Sequence, residues 1–187
     1  MQTTEIQPAG PRSRGAVVAR EKEADEQQQY LTFMLGDEMF AIGILSIREI
    51  IEYGFVTDVP MTPPFIRGVL NLRGAVVPVV DMAVRFGREA RENSKRTCIV
   101  IVDIEAPNGS QQMGVVVDAV SEVLEIPQAD IEPPPEFGAR IRNDFIKSMG
   151  KINGKFVVIL DLNRVLSVEE VAVIANVAQS ATSFSNA

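Results

Sequence analysis

The chain has 187 residues, 46% of them hydrophobic, a net charge of −7, no histidine and one cysteine. That length holds one domain of ordinary size or two small barrels sharing an interface. The acidic balance argues against a nucleic-acid role, and the missing histidine removes the Ser-His-Asp and Cys-His arrangements and the commonest metal ligand.

Cys98 leaves no intramolecular disulfide and no Cys-x-x-Cys site. It lies inside the run Thr97–Val102 and reads as a small core residue. No apolar run approaches the ~18 residues of a membrane span. The N-terminus lacks the apolar region of a signal peptide. These features predict a soluble, cytoplasmic protein with no metal and no cofactor.

In chain order, residues 1–29 mix Gln, Pro, Gly, Arg and Glu without an apolar period and read as a disordered tail. Tyr30–Leu35 and Met39–Ile42 read as strands about a Gly36-Asp37 turn. Ile44, Ile47, Ile50 and Ile51 then fall at helical spacing, which predicts a short helix to about Tyr53. Its start is open: Ser46-x-x-Glu49 fits a capping box, and Gly43 also serves as an N-cap. Val56–Pro60 is extended, and Pro63-Pro64 bars helix before Phe65.

Phe65–Asp81 reads as a hairpin. Val69, Leu70 and Leu72 enter the turn at Arg73-Gly74, and Val76, Val77, Val79 and Val80 leave it. Arg67 and Arg73 sit among these hydrophobes with little acid nearby to neutralise them. From Met61 to Arg88 four arginines (Arg67, Arg73, Arg85, Arg88) face Asp81 alone, a local charge of +3. A basic island on an acidic chain favours an acidic protein partner. Residues 88–96 form a charged loop.

Thr97–Ile104 reads as a strand covered on both faces. A turn at 106–110, a return strand Met113–Val117 and a further strand over 120–126 follow. Phe145–Ile152, Asn153-Gly154 and Lys155–Leu160 make a second hairpin. Phe145-Ile146-Lys147, Gly154 and Val157–Leu162 repeat Phe65-Ile66-Arg67, Gly74 and Val77–Met82 at one offset of 80 residues. Two similar β units in tandem follow from that spacing. Asp161 caps a helical turn through Leu166, and Ser167-x-x-Glu170 opens a helix over 167–178 that packs on its own barrel. Residues 179–187 should fray.

No catalytic constellation is present in this pattern. Asp81 and Asp161 occupy the same place after each hairpin, where capping a turn is the commoner role. Gly68 and Gly74 have no Lys-Ser/Thr after them, so they form no phosphate loop. Short strands, Gly/Pro turns and a hairpin in each half point to mostly-β barrels, with strand order left open.

The run Phe65–Gly74, with Val76–Asp81 and Arg85-Phe86-Gly87, resembles the CheW adaptor family of bacterial chemotaxis. Gly36-Asp37-Glu38, Ile47-Arg48-Glu49-Ile50, Gly114–Val120 and Pro134-Pro135-Glu136-Phe137 add to the likeness. It covers about Tyr30 to Leu166. The resemblance implies two intertwined five-stranded SH3-like barrels, near 30–88 and 97–162 within a domain over 30–168. It also implies a non-enzymatic adaptor between methyl-accepting receptors and the regulatory domain of the CheA histidine kinase. An adaptor of another chemosensory pathway (pili, surface sensing, development) shares the same residues. A small-ligand or enzymatic β barrel is the remaining alternative.

The kinase-facing residues that this resemblance implies are Arg73, Glu49, Ile47, Gly68, Val69, Leu72 and Gly74. Glu49, on the expected helix, pairs with Arg73; a solvated arginine and a capping glutamate are the competing roles. For Ile47, Val69 and Leu72 a core role competes equally. The receptor-facing candidates are Ile99, Gly114, Val120 and Val123 in a groove between the barrels. Gly114 admits close approach of a helix, and a core role is the default for the other three. Association with receptor arrays at the inner membrane, and ring assembly with the kinase, are implied too.

Overall fold

The computed structural model describes residues 29–136 and 142–167. The tail before Gln29 and the chain from residue 168 on, with the helix expected there, lie outside these residues. Eleven strands run in order: β1 Gln29–Leu35, β2 Glu38–Gly43, β3 Ile47–Glu52, β4 Ile66–Leu72, β5 Ala75–Asp81, β6 Cys98–Ala106, β7 Gly109–Val117, β8 Ala119–Glu125, β9 Ile131–Glu132, β10 Ile146–Ile152 and β11 Lys155–Leu160. One-turn helices α1 Met82–Arg85 and α2 Leu162–Val165 follow β5 and β11.

The strands form two sheets that do not follow chain order. One runs β3-β6-β7-β5-β4; the other runs β8-β1-β2-β11-β10-β9, its sixth member being the two-residue β9. Thus β1 and β2 lie with the second hairpin. Each sheet is joined by one parallel pairing, Val79↔Gly114 between β5 and β7 and Val158↔Phe40 between β11 and β2.

The five-stranded sheet stays open between its outer strands β3 and β4, and one bridge spans the gap. Beyond β3, Thr57 pairs with Val69 of β4 through N–H···O bonds of 2.8 and 2.9 Å. Gly68 is required at that seam. A Cβ there would lie 2.0 Å from the Thr57 carbonyl oxygen, and the residue sits at φ +141°.

Three apolar clusters explain the layering. A shared core draws Phe33, Phe40 and Leu35 from one sheet and Val100, Val102, Val115 and Val80 from the other. The five-stranded barrel has its own core of Leu70, Val77, Val79, Ile99, Ile101 and Val116. The six-stranded sheet has one of Tyr30, Ala41, Ile126, Val157 and Ile159. Strands between two such cores need apolar residues on both faces, which is why β6 reads as an unbroken run. Cys98 is half-buried against the shared core.

The 80-residue repeat is structural. The Asp81 N–H bonds the Phe65 carbonyl at 2.7 Å, and the Asp161 N–H bonds the Phe145 carbonyl at 2.9 Å. Asp81 Oδ1 accepts from the Val84 N–H, and Asp161 Oδ1 from the Arg164 N–H, so each aspartate caps a one-turn helix. The halves meet where the repeat meets itself: Arg85 Nε donates to the carbonyl of Val165, 80 positions on, at 2.8 Å. The Arg85 guanidinium also lies over Phe65 and Phe145, 4.6 and 5.1 Å from their ring centres.

The helix expected from Ile44 to Tyr53 is not formed. Ile44–Ser46 make a single 3-10 turn with no side-chain cap, and Ile47–Glu52 are a strand. Long-range pairing overrides the helical spacing: Glu49, Ile50 and Ile51 pair with Ile101, Val100 and Ile99 of β6. The capping-box role for Glu49 is thereby removed.

Candidate functional site

The tip of the first hairpin is a two-residue turn. Its central residues need positive φ to match the twist of the strands, and Arg73 and Gly74 have φ +51° and +87°. An arginine gains no local hydrogen bond in that conformation, so placing one there has a backbone cost that glycine or asparagine avoids. The side chain has a use that offsets it.

Arg73 reaches across the barrel rim to Glu49. Its two terminal nitrogens donate to Glu49 Oε1 and Oε2 at 2.6 and 3.0 Å, a fork-to-fork pair. Glu49 is on β3 and Arg73 directly follows β4, and these are the two outer strands of the five-stranded sheet. The pair therefore spans the gap between these strands at the rim, and the Thr57–Val69 bridge spans it lower down. The Arg73 hydrogen bond and charge hold the Glu49 carboxyl below its usual range, and Glu49 raises Arg73 in turn. The Arg73 side chain remains 74% exposed, against 28% for Glu49. The carboxylate fixes the guanidinium from behind, and its outer edge faces water.

The other arginines of the basic island are not free cations, which corrects the expectation of unneutralised charge. Arg67 Nε donates to Asp81 Oδ2 at 2.7 Å, and that carboxylate is almost wholly buried. Arg85 lies over phenylalanines, as above. Arg88 pairs with Glu38 and donates to the Leu35 carbonyl. Of the four, Arg73 alone is mainly exposed.

The remaining kinase-side candidates divide. Gly74 is exposed and sets the turn; Leu72 is half-buried against the barrel core. Val69 and Gly68 serve the seam with Thr57, and Ile47 is half-buried against the shared core. Val76, which the sequence reading left out of the site, is 57% exposed beside the turn. The signal was there: the apolar run of β5 starts at the tip, beyond the reach of the core, so its first residues are left outside.

The receptor-side candidates do not form one surface. Ile99 is fully buried. A Cβ on Gly114 would lie 2.8 Å from the Ile99 side chain and 3.3 Å from that of Val79, so its missing side chain accommodates the protein's own core. Both belong to the five-stranded barrel. Val120 and Val123 are on β8 of the other sheet, the first half-buried against the shared core and the second 48% exposed. A cleft of about 860 Å³ lies mainly along the six-stranded sheet, lined in part by Tyr30, Leu45, Lys147 and Asp161, with Asp103 of β6 beside them. None of the four candidates lines it. Its Asp103 pairs with Arg48 and its Asp161 caps α2. Among the described residues no group of three or more His, Cys, Asp or Glu is placed to hold a metal ion, and no helix is long and apolar enough to cross a membrane.

Two β sheets around a shared core, with an exposed arginine paired to a carboxylate on one rim, define the structural class. The family model for the CheW-like domain matches residues 29–170, and the chain belongs to that family. It is 36% identical over 153 residues to the chemotaxis protein CheW of Klebsiella aerogenes, covering 82% of this chain and 90% of that one. Protein FrzA of Myxococcus xanthus is 34% identical over 113 residues, covering 60% and 68%. The crystal structure of the scaffolding protein TtCheW from Thermoanaerobacter tengcongensis superposes with a TM-score of 0.66 at 36% identity, covering 73% of this chain and 85% of that one.

Proposed function

We propose that the chain is a non-catalytic adaptor that joins methyl-accepting chemotaxis receptors to a CheA-type histidine kinase. The observation that carries the reading is the Arg73–Glu49 pair. A guanidinium held in a fixed direction, exposed, and set beside Leu72 and Val76 has the make-up of an interface anchor. Its preorganisation lowers the ordering cost of docking. Arg73, Glu49, Leu72 and Gly74 make the kinase-facing patch, with Val76 added. Gly68, Val69 and Ile47 support it from within the barrel. On the receptor side the proposal rests on Val120 and Val123; Ile99 and Gly114 drop out because they are buried. The adaptor passes on receptor state through differential contact at the two faces. It does so in the cytoplasm, at receptor arrays, where linked adaptor and kinase domains gain avidity as rings.

Capture of partners from native cells tests this. Wild-type protein should retain a kinase and a chemoreceptor together, and Arg73→Ala should lose the kinase while keeping the receptor. Recovery of a kinase and receptor from a pili, surface-sensing or developmental system would place the adaptor in that pathway. Recovery of neither, with a small molecule raising the melting temperature, would favour a ligand-binding barrel.

A further inference from the structure

The two hairpin tips are held differently, and the difference lies at two positions. In the second hairpin Asn153 takes the position of Arg73, with φ +49°. Asparagine tolerates that conformation because its short amide bonds the local backbone. Arginine has no such help. In the first hairpin the help comes from two residues earlier: Asn71 Oδ1 accepts from the Gly74 N–H at 2.8 Å, spanning the turn. The equivalent residue 80 positions on is Lys151, whose ammonium has no acceptor to offer.

We infer that Asn71 is a positioning residue for the docking arginine. Its amide oxygen locks the Arg73-Gly74 turn so that the guanidinium meets both oxygens of Glu49. This rests on reading Arg73 as the kinase-facing anchor, and Asn71 acts through Arg73 rather than through the partner. Without the acceptor, the Gly74 N–H turns to water and the tip samples other turns. Docking must then reorder it, which weakens affinity. The strands below stay in place, because Leu70, Val77 and Val79 are buried in the barrel core.

The test uses the full chain and the purified regulatory domain of the CheA-type kinase from the same organism. Asn71→Ala should raise Kd about fivefold, the weight of roughly one hydrogen bond, and speed hydrogen exchange at Gly74. Asn71→Asp keeps an acceptor and should restore both readouts to near wild type; Lys151→Ala should change neither. In an Arg73→Ala background, Asn71→Ala should cost nothing more, because its effect passes through Arg73. Wild-type affinity and Gly74 exchange in Asn71→Ala, or an undiminished loss in the Arg73→Ala background, would overturn the assignment. If Arg73→Ala itself binds like wild type, the docking reading fails instead, and Gly74 exchange still decides whether Asn71 locks the turn.

Discussion

Arg73 and Asn153 occupy the same position of equivalent turns, 80 residues apart, with φ of +51° and +49°. The fold accepts either residue there. The second hairpin has the one that suits the backbone, and the first has the one that can reach Glu49. The contrast separates what folding needs at this position from what the rim presents. Arg73→Asn should therefore unfold at a temperature no lower than Arg73→Ala, although both lose the pair with Glu49. Thermal unfolding followed by circular dichroism checks this, and a clearly less stable Arg73→Asn would show that the turn conformation is not limiting.

Gly68→Ala should be the most damaging small substitution in the first hairpin. The added methyl meets the Thr57 carbonyl at 2.0 Å, with backbone on both sides of the clash. Overpacking and a positive φ together should cost about 2–4 kcal/mol. Gly74→Ala has open space around its Cβ and only the conformational penalty of its φ, so it should cost about 1 kcal/mol. Urea denaturation of the two variants gives the comparison.

Asp81 and Asp161 cap equivalent helices, but only Asp81 also accepts from a half-buried arginine. Asp81→Ala strands the Arg67 charge and should cost about 3 kcal/mol. Asp161→Ala loses a cap alone and should cost about 1 kcal/mol. Equal losses in denaturant midpoint would mean that the Arg67 pair adds nothing to the cap.

The Glu49 carboxyl is held below its ordinary value of 4.5 by the hydrogen bond from Arg73. A carboxylate with a lowered folded-state pKa contributes stability that is complete above the unfolded value. It is lost as pH falls through the folded value, while Arg73 stays cationic throughout. Wild type and Glu49→Gln should thus differ by a constant amount from pH 7 down to about 5. The gap should close progressively below pH 4.5. A gap that persists unchanged to pH 3 would put the effect in packing rather than in charge.

The hairpins, β6, the repeat and both aspartate caps were legible in the sequence, because each rests on local chemistry: turn residues, alternation and one fixed spacing. The strand β3 was not. Ile44, Ile47, Ile50 and Ile51 fit a helix by position, yet the β-branched side chains favour a strand, and β6 supplied the partner. The exchange of β1 and β2 into the second sheet was implied only by the resemblance to intertwined barrels; no local signal marks it, because parallel pairings such as Val158↔Phe40 join distant residues. The pairing of Arg67 was missed. The hairpin register, with Ile66 opposite Val80, already brings it beside Asp81. Ile99 and Gly114 are buried because a strand lying between two cores leaves no outer face, and for Ile99 this is the core role that the sequence reading took as its default.

Arg73, paired with Glu49, is proposed as the residue that couples this protein to a kinase. The most direct test of that role is kinase stimulation in a reconstituted receptor–kinase–adaptor system, with Arg73→Ala shown by circular dichroism to be folded. This variant should still join receptor assemblies but lose most of the stimulation. Wild-type stimulation by folded Arg73→Ala would contradict that role.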